Sequence, residues 1–122
     1  MTETSSPTLD VSVLAALRES VGGDDAFVAD LVETYLGDGA EQVAAVEAAV
    51  GTGDAAALVR PAHTLKSASY TVGAMRLGDL AKSLEARGRG EALDGAGVEA
   101  AAARAEWAAV ETALRAWLGG SR

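Results

Sequence analysis

The chain has 122 residues, a net charge of −8 and no cysteine, which is the length of one domain able to bury a core without disulfide or metal staples. The missing thiols exclude disulfides and thiolate chemistry, and with one histidine a zinc site would lack its usual ligands. The acidic balance repels nucleic-acid phosphates and anionic membrane surfaces, and no apolar run approaches the ~20 residues that span a bilayer.

Residues 1–8, "MTETSSPT", read as a flexible polar tail without the basic start and apolar middle of a secretory signal. A cytoplasmic setting is expected. Residues 9–119 are expected to form the domain. Asp10 is placed to cap a short helix, "VSVLAALRES", which "VGGDD" stops. Asp24 or Asp25 caps the next helix, where Phe27, Val28, Leu31, Val32, Tyr35 and Leu36 recur at helical spacing. "GDGAE" interrupts that pattern before "QVAAVEAAV" resumes it. The segment reads as one long helix with a weak point or kink near Gly37–Gly39, or as two helices in tandem.

"GTGD" is a break, and Asp54 caps a third helix over about Ala55 to Val72. Pro61 lies inside it and predicts a kink or a restart of the helix. Gly73 suits the left-handed residue that follows a helix. A fourth helix is predicted from about Ala74 to Arg87, with Leu77, Leu80, Ala81 and Leu84 as its stripe. "GRGEALDGAG" reads as a loop. The last helix covers about Val98 to Leu118 and buries Trp107, Val110, Leu114, Trp117 and Leu118. No strand pattern and no repeat interrupts this series. The fold class is all-α, an antiparallel four-helix bundle with a short extra N-terminal helix. Aromatics are only 4%, so its core is built mainly from Ala, Leu and Val.

The single histidine, His63, lies in the third helix. At about 100° per residue, Leu58, Leu65 and Val72 define a core azimuth flanked by Ala62, Ala68 and Ser69. His63 projects about 160° from Leu65 and so faces solvent. Its neighbours on the outer face are Val59, Arg60, Lys66, Ser67 and Tyr70. A lone histidine is most often a core group or an idle surface residue, and the wheel removes the first reading. Two cations within one turn argue against the second, because they can neutralise an anion placed on the imidazole. Trp107 and Trp117 read as core, Asp24 and Asp25 as caps, and no carboxylate pair sits in an apolar cleft suited to hydrolysis.

These residues resemble the histidine-containing phosphotransfer (HPt) domains of multi-step two-component relays. The family pattern is His-x-Leu-Lys-Gly followed by two small residues, then Gly-Ala, then spaced leucines and Leu-Glu. Here it is His63, Leu65, Lys66, Ser67, Ala68, Ser69, Gly73, Ala74, Leu77, Leu80, Leu84 and Glu85, without a gap. Ser67 departs from the pattern, since the family usually has Gly there. Its small hydroxyl should fit and can hydrogen-bond the imidazole. Tyr70 is bulkier than the small polar residue often found at its position and bears on partner choice.

The resemblance implies a phosphocarrier. His63 would accept a phosphoryl group on Nε2 from the aspartyl phosphate of a receiver domain or hybrid histidine kinase, and a response regulator receiver would take it on. Lys66 would offset phosphoryl charge, and Val59, Arg60, Ser67 and Tyr70 would meet the partner. Gly73 would make the turn, and Glu85 would pair with Lys82 or Arg89 on the helix surface. The receiver would supply Mg²⁺ and the catalytic groups, so this chain would bind no cofactor or metal and would not be an enzyme. A monomer is expected. Two alternatives remain open at this point: a bundle that docks on a receiver without phosphotransfer, and the phosphoacceptor domain of a larger chemotaxis-type kinase. The start at Met1 and the end near Leu118 favour a free-standing protein.

Overall fold

The computed structural model describes residues 8–121; most of the polar tail lies outside them. Five helices follow one another: α1 (Val11–Ser20), α2 (Asp25–Thr52), α3 (Ala55–Thr71), α4 (Met75–Gly90) and α5 (Ala96–Ser121). Among the described residues there is no strand. Three of the helices start at a carboxylate cap. Asp10 accepts from the Ser12 amide, Asp24 from that of Phe27 and Asp54 from that of Ala57, each satisfying a donor that the first turn leaves open.

Short links force each helix back along its predecessor. Helices α2 to α5 close a ring, α2 on α3, α3 on α4, α4 on α5 and α5 on α2, while α1 lies against α2 and α3. Leu14, Val28, Val32, Leu58, Leu65, Leu77, Leu84, Val110 and Leu114 are fully enclosed between them. The core is indeed aliphatic, with Trp107 and Tyr35 as its aromatic pair, edge to face at 5.4 Å between ring centroids.

The glycines account for two departures from the sequence reading. Helix α2 runs through Gly37–Gly39 unbroken, so there are no tandem helices. Gly39 is buried, and a Cβ there would collide with the Trp107 ring. The missing side chain serves α5's indole rather than a bend. Helix α4 likewise continues through Gly88 to Gly90, where a loop was expected. A Cβ on Gly88 would lie 3.0 Å from the Ala55 carbonyl oxygen and 3.0 Å from Val59, so this glycine lets α4 pass close to the first turn of α3.

Pro61 is buried, and α3 runs from Ala55 to Thr71 across it without restarting. Helix α3 ends at Thr71 with Val72 as its C-cap, and Gly73 follows with φ +87, its predicted left-handed conformation. There the Gly73 carbonyl accepts from the Asp10 amide at 2.8 Å, which ties the start of α1 to the α3–α4 turn. Helix α5 begins two residues before the predicted Val98 and ends past Leu118, and Trp117 is only partly buried.

Candidate functional site

The α3–α4 hairpin turns about Gly73 and Ala74, so residues equidistant from Ala74 stand side by side. That register sets His63 beside Glu85, Val59 beside Arg89, and Tyr70 beside Gly78. His63 points outward as the wheel requires, with 53% of its side chain exposed. Its Nδ1 lies 2.9 Å from Glu85 Oε2.

Glu85 is the hub. Its side chain is only 8% exposed, although it sits on a helix surface in the sequence reading. Oε1 accepts from Lys66 Nζ at 2.8 Å. Oε2 accepts from Arg89 Nε at 3.0 Å and Nη2 at 2.7 Å. Burial alone pushes this carboxyl upward, but the hydrogen bonds from Lys66, Arg89 and His63, with the Lys66 charge, outweigh it and hold Glu85 at about 2. The carboxylate is therefore ionised at neutral pH and can only accept. Nδ1 must carry the proton, and in the neutral imidazole Nε2 holds the free lone pair.

The predicted partnership of Glu85 with Arg89 exists, but Glu85 makes no bond to Lys82. Its bonds to His63 and Lys66 cross from α4 to α3, where the sequence of α4 alone gives no signal. Lys66 does not stand free beside the imidazole: it is 25% exposed and engaged with Glu85. Nor does Ser67 bond the imidazole. Its hydroxyl is exposed and has no hydrogen-bond partner among the described residues. Arg60, His63 and Arg89 border one open recess with Val59 and Thr64, so two cationic side chains share the imidazole's recess. Arg89, absent from the sequence-derived site, is 62% exposed.

Tyr70 belongs to the seam more than to the open face. Its ring lies over Gly78, where a Cβ would collide with it, and its hydroxyl donates to Asp79 Oδ1 at 2.7 Å. Behind the site, Ser69 and Tyr35 share a buried hydrogen bond of 2.8 Å that joins α3 to α2. An apolar groove bordered by Leu31, Tyr35, Gln42, Thr64 and Ala68 runs between α2 and α3 next to His63. Among the described residues no group of three or more His, Cys, Asp or Glu could hold a metal ion. No helix among them is long and apolar enough to cross a membrane.

A bundle of this topology that presents one imidazole, tethered through Nδ1 and flanked by cations, is the architecture of a histidine phosphocarrier. Residues 30–117 match the family model described as Hpt domain, and the chain belongs to that family. Among solved structures it is similar to histidine-containing phosphotransfer protein B (HptB) from Pseudomonas aeruginosa PAO1, with a TM-score of 0.87 and 31% identity over 97% of this chain and 100% of that one. No curated protein matches it in sequence. Hpt proteins are phosphoryl carriers of two-component phosphorelays rather than catalysts, working with kinases and receiver domains, and this chain is such a carrier.

Proposed function

We propose that His63 is the phosphoacceptor, and that Nε2 takes the group from the aspartyl phosphate of a receiver domain and passes it to a second receiver. The observation that carries this is the Nδ1 bond to Glu85, which leaves the lone pair on the ring's other nitrogen. In the transfer, the Nε2 lone pair forms a bond to phosphorus. The bond from phosphorus to the aspartyl oxygen breaks, and its electron pair leaves with the carboxylate. The Nδ1 proton stays against Glu85, whose negative charge offsets the positive charge that the ring acquires. Such transfer depends on positioning and charge neutralisation. The rigid hairpin supplies the first, and Lys66 and Arg89 supply part of the second as the incoming group competes with Glu85 for them.

The receiver brings the Mg²⁺ and the catalytic groups. Val59, Arg60 and Ser67, with the edge of Tyr70, form the surface it meets. The carrier works as a monomer in the cytoplasm.

The test is His63→Gln, offered phosphorylated receiver domains from the same genome. The side chain is half exposed, so the fold should survive with a cost within about 1 kcal/mol. Phosphoryl uptake should vanish. An acid-labile phosphoryl group on the variant would overturn the assignment, because the chain has no second histidine.

A further inference from the structure

The helical hydroxyls divide into two sets. Ser20, Thr52, Thr71 and Thr112 bond backward to carbonyls of their own helices, those of Leu17, Ala48, Ser67 and Ala108. Ser12 is held by Asp10, Ser69 by Tyr35 and Ser83 by Glu99. Ser67 has no such bond among the described residues, and neither do Thr34 and Thr64. A helical serine ordinarily has the carbonyl four residues back within reach; for Ser67 that is His63's own.

Ser67 stands one turn C-terminal to His63. Residues four apart on a helix are surface neighbours, about 5–6 Å between Cβ atoms. Helical side chains tilt toward the N-terminus, so the Ser67 hydroxyl lies over the turn that carries His63. In the empty carrier Lys66 and Arg89 both bond Glu85, and Arg60 borders the recess that holds His63. The imidazole cannot satisfy Ser67 through Nδ1, because Glu85 holds that atom. Thr64 follows His63 directly, and adjacent helical residues do not face each other.

We propose that the Ser67 hydroxyl is an uncommitted donor that serves the phosphoryl group, hydrogen-bonding one of its oxygens once the group sits on Nε2. This rests on His63 being the phosphoacceptor. The phosphoryl oxygens are charged acceptors, and bonds to charged acceptors are roughly twice as strong as neutral ones. In the empty carrier the hydroxyl faces water. In the loaded carrier it gains its partner, so it favours the loaded state.

The experiment needs no partner protein. Phosphoramidate phosphorylates the imidazole: the bond from phosphorus to ammonia's nitrogen breaks, the bond to Nε2 forms, and ammonia leaves. In ammonium buffer the reaction runs both ways, and phosphorus NMR reads the ratio of loaded to empty carrier. Ser67→Ala keeps Cβ and removes only the hydroxyl. It should lower the loading equilibrium about fivefold, roughly 1 kcal/mol at 1.4 kcal/mol per factor of ten. Ser67→Thr, which keeps the hydroxyl, should stay within twofold of wild type. An unchanged equilibrium in Ser67→Ala overturns the inference while leaving His63 as the acceptor. Equal losses in the Ala and Thr variants overturn it too, because then the hydroxyl is not the cause. If His63 takes no label in the wild type, the acceptor reading falls first and this inference with it.

Discussion

Replacing Glu85 by Gln separates the charge of the hub from its shape. The carboxylate accepts from three side chains, His63 and Arg89 through Oε2 and Lys66 through Oε1. An amide keeps one acceptor oxygen and puts an NH₂ in place of the other. If the oxygen stays with His63 and Arg89, the NH₂ faces the Lys66 ammonium, donor against donor. A charge-assisted hydrogen bond contributes about 1.5–3 kcal/mol where it is buried. Lys66 is 25% exposed and Arg89 62%, so both can turn toward water, and the loss falls to about 1–2 kcal/mol. A urea midpoint lower by about 1 M would report it. The effect on transfer is separate. Without the full negative charge beside Nδ1, the positive charge on the reacting ring is less offset, and the rate should fall about tenfold, or 1.4 kcal/mol. Nitrogen NMR of the single imidazole should show Nδ1 as the protonated nitrogen in the wild type and a mixture of tautomers in Glu85→Gln. Rapid-quench mixing with a phosphorylated receiver gives the rate. A wild-type rate with a wild-type ring spectrum in the variant would refute the role given to Glu85.

Lys66→Ala should slow transfer about tenfold, while calorimetric docking of the unphosphorylated carrier changes less; equal losses in both would reduce Lys66 to a docking charge. The same variant should lose about 1 kcal/mol of stability, since it removes one bond from a buried carboxylate. Gly39→Ala should destabilise the bundle by about 1–3 kcal/mol, because its methyl group meets the Trp107 ring; near-ultraviolet circular dichroism of the Trp107–Tyr35 pair should change with it. Glu85 also predicts acid sensitivity. Its folded carboxyl is held at about 2, below the ordinary ~4.3 of an unfolded glutamate, so the unfolded chain takes the proton first. Its contribution is present above about 4.3 and is lost as pH falls toward 2, about 1–2 kcal/mol once the exposure of its partners is allowed for; denaturant midpoints across that range should fall more steeply for wild type than for Glu85→Gln.

Helix positions were legible because each rests on local chemistry. Asp10, Asp24 and Asp54 cap where their spacing before an apolar stripe says they should. Gly73 takes the turn, and the wheel sends His63 outward. The failures have one physical origin. Gly39 and Gly88 look like local breakers in the sequence, yet each is small for the sake of a neighbour distant in sequence. The helix that carries Glu85 reveals Arg89 four residues on but not His63 or Lys66 across the seam. The means to find them was present: once the turn is centred on Gly73–Ala74, antiparallel pairing sets Glu85 opposite His63, and the same register lays Tyr70 on Gly78. Arg89's place at the recess follows from it as well. The free hydroxyl of Ser67 could not be read in this way, because its distinction is a bond that is not made.

The ion cluster and the imidazole all reside on one helical hairpin, from Arg60 on α3 to Arg89 on α4. The adjacent apolar groove takes its second wall from α2. Chemistry and the shape beside it are thus inherited from separate stretches of chain. Substitutions at Leu31, Thr34 or Gln42 can reshape the groove without disturbing any bond to Glu85, so α2 can vary the surface beside the site while the site's own bonds stay in place. The reverse freedom is missing. A change at Ala68 or Thr64 alters the groove from the very helix that bears His63, so the groove has far more room to vary on one bank than on the other.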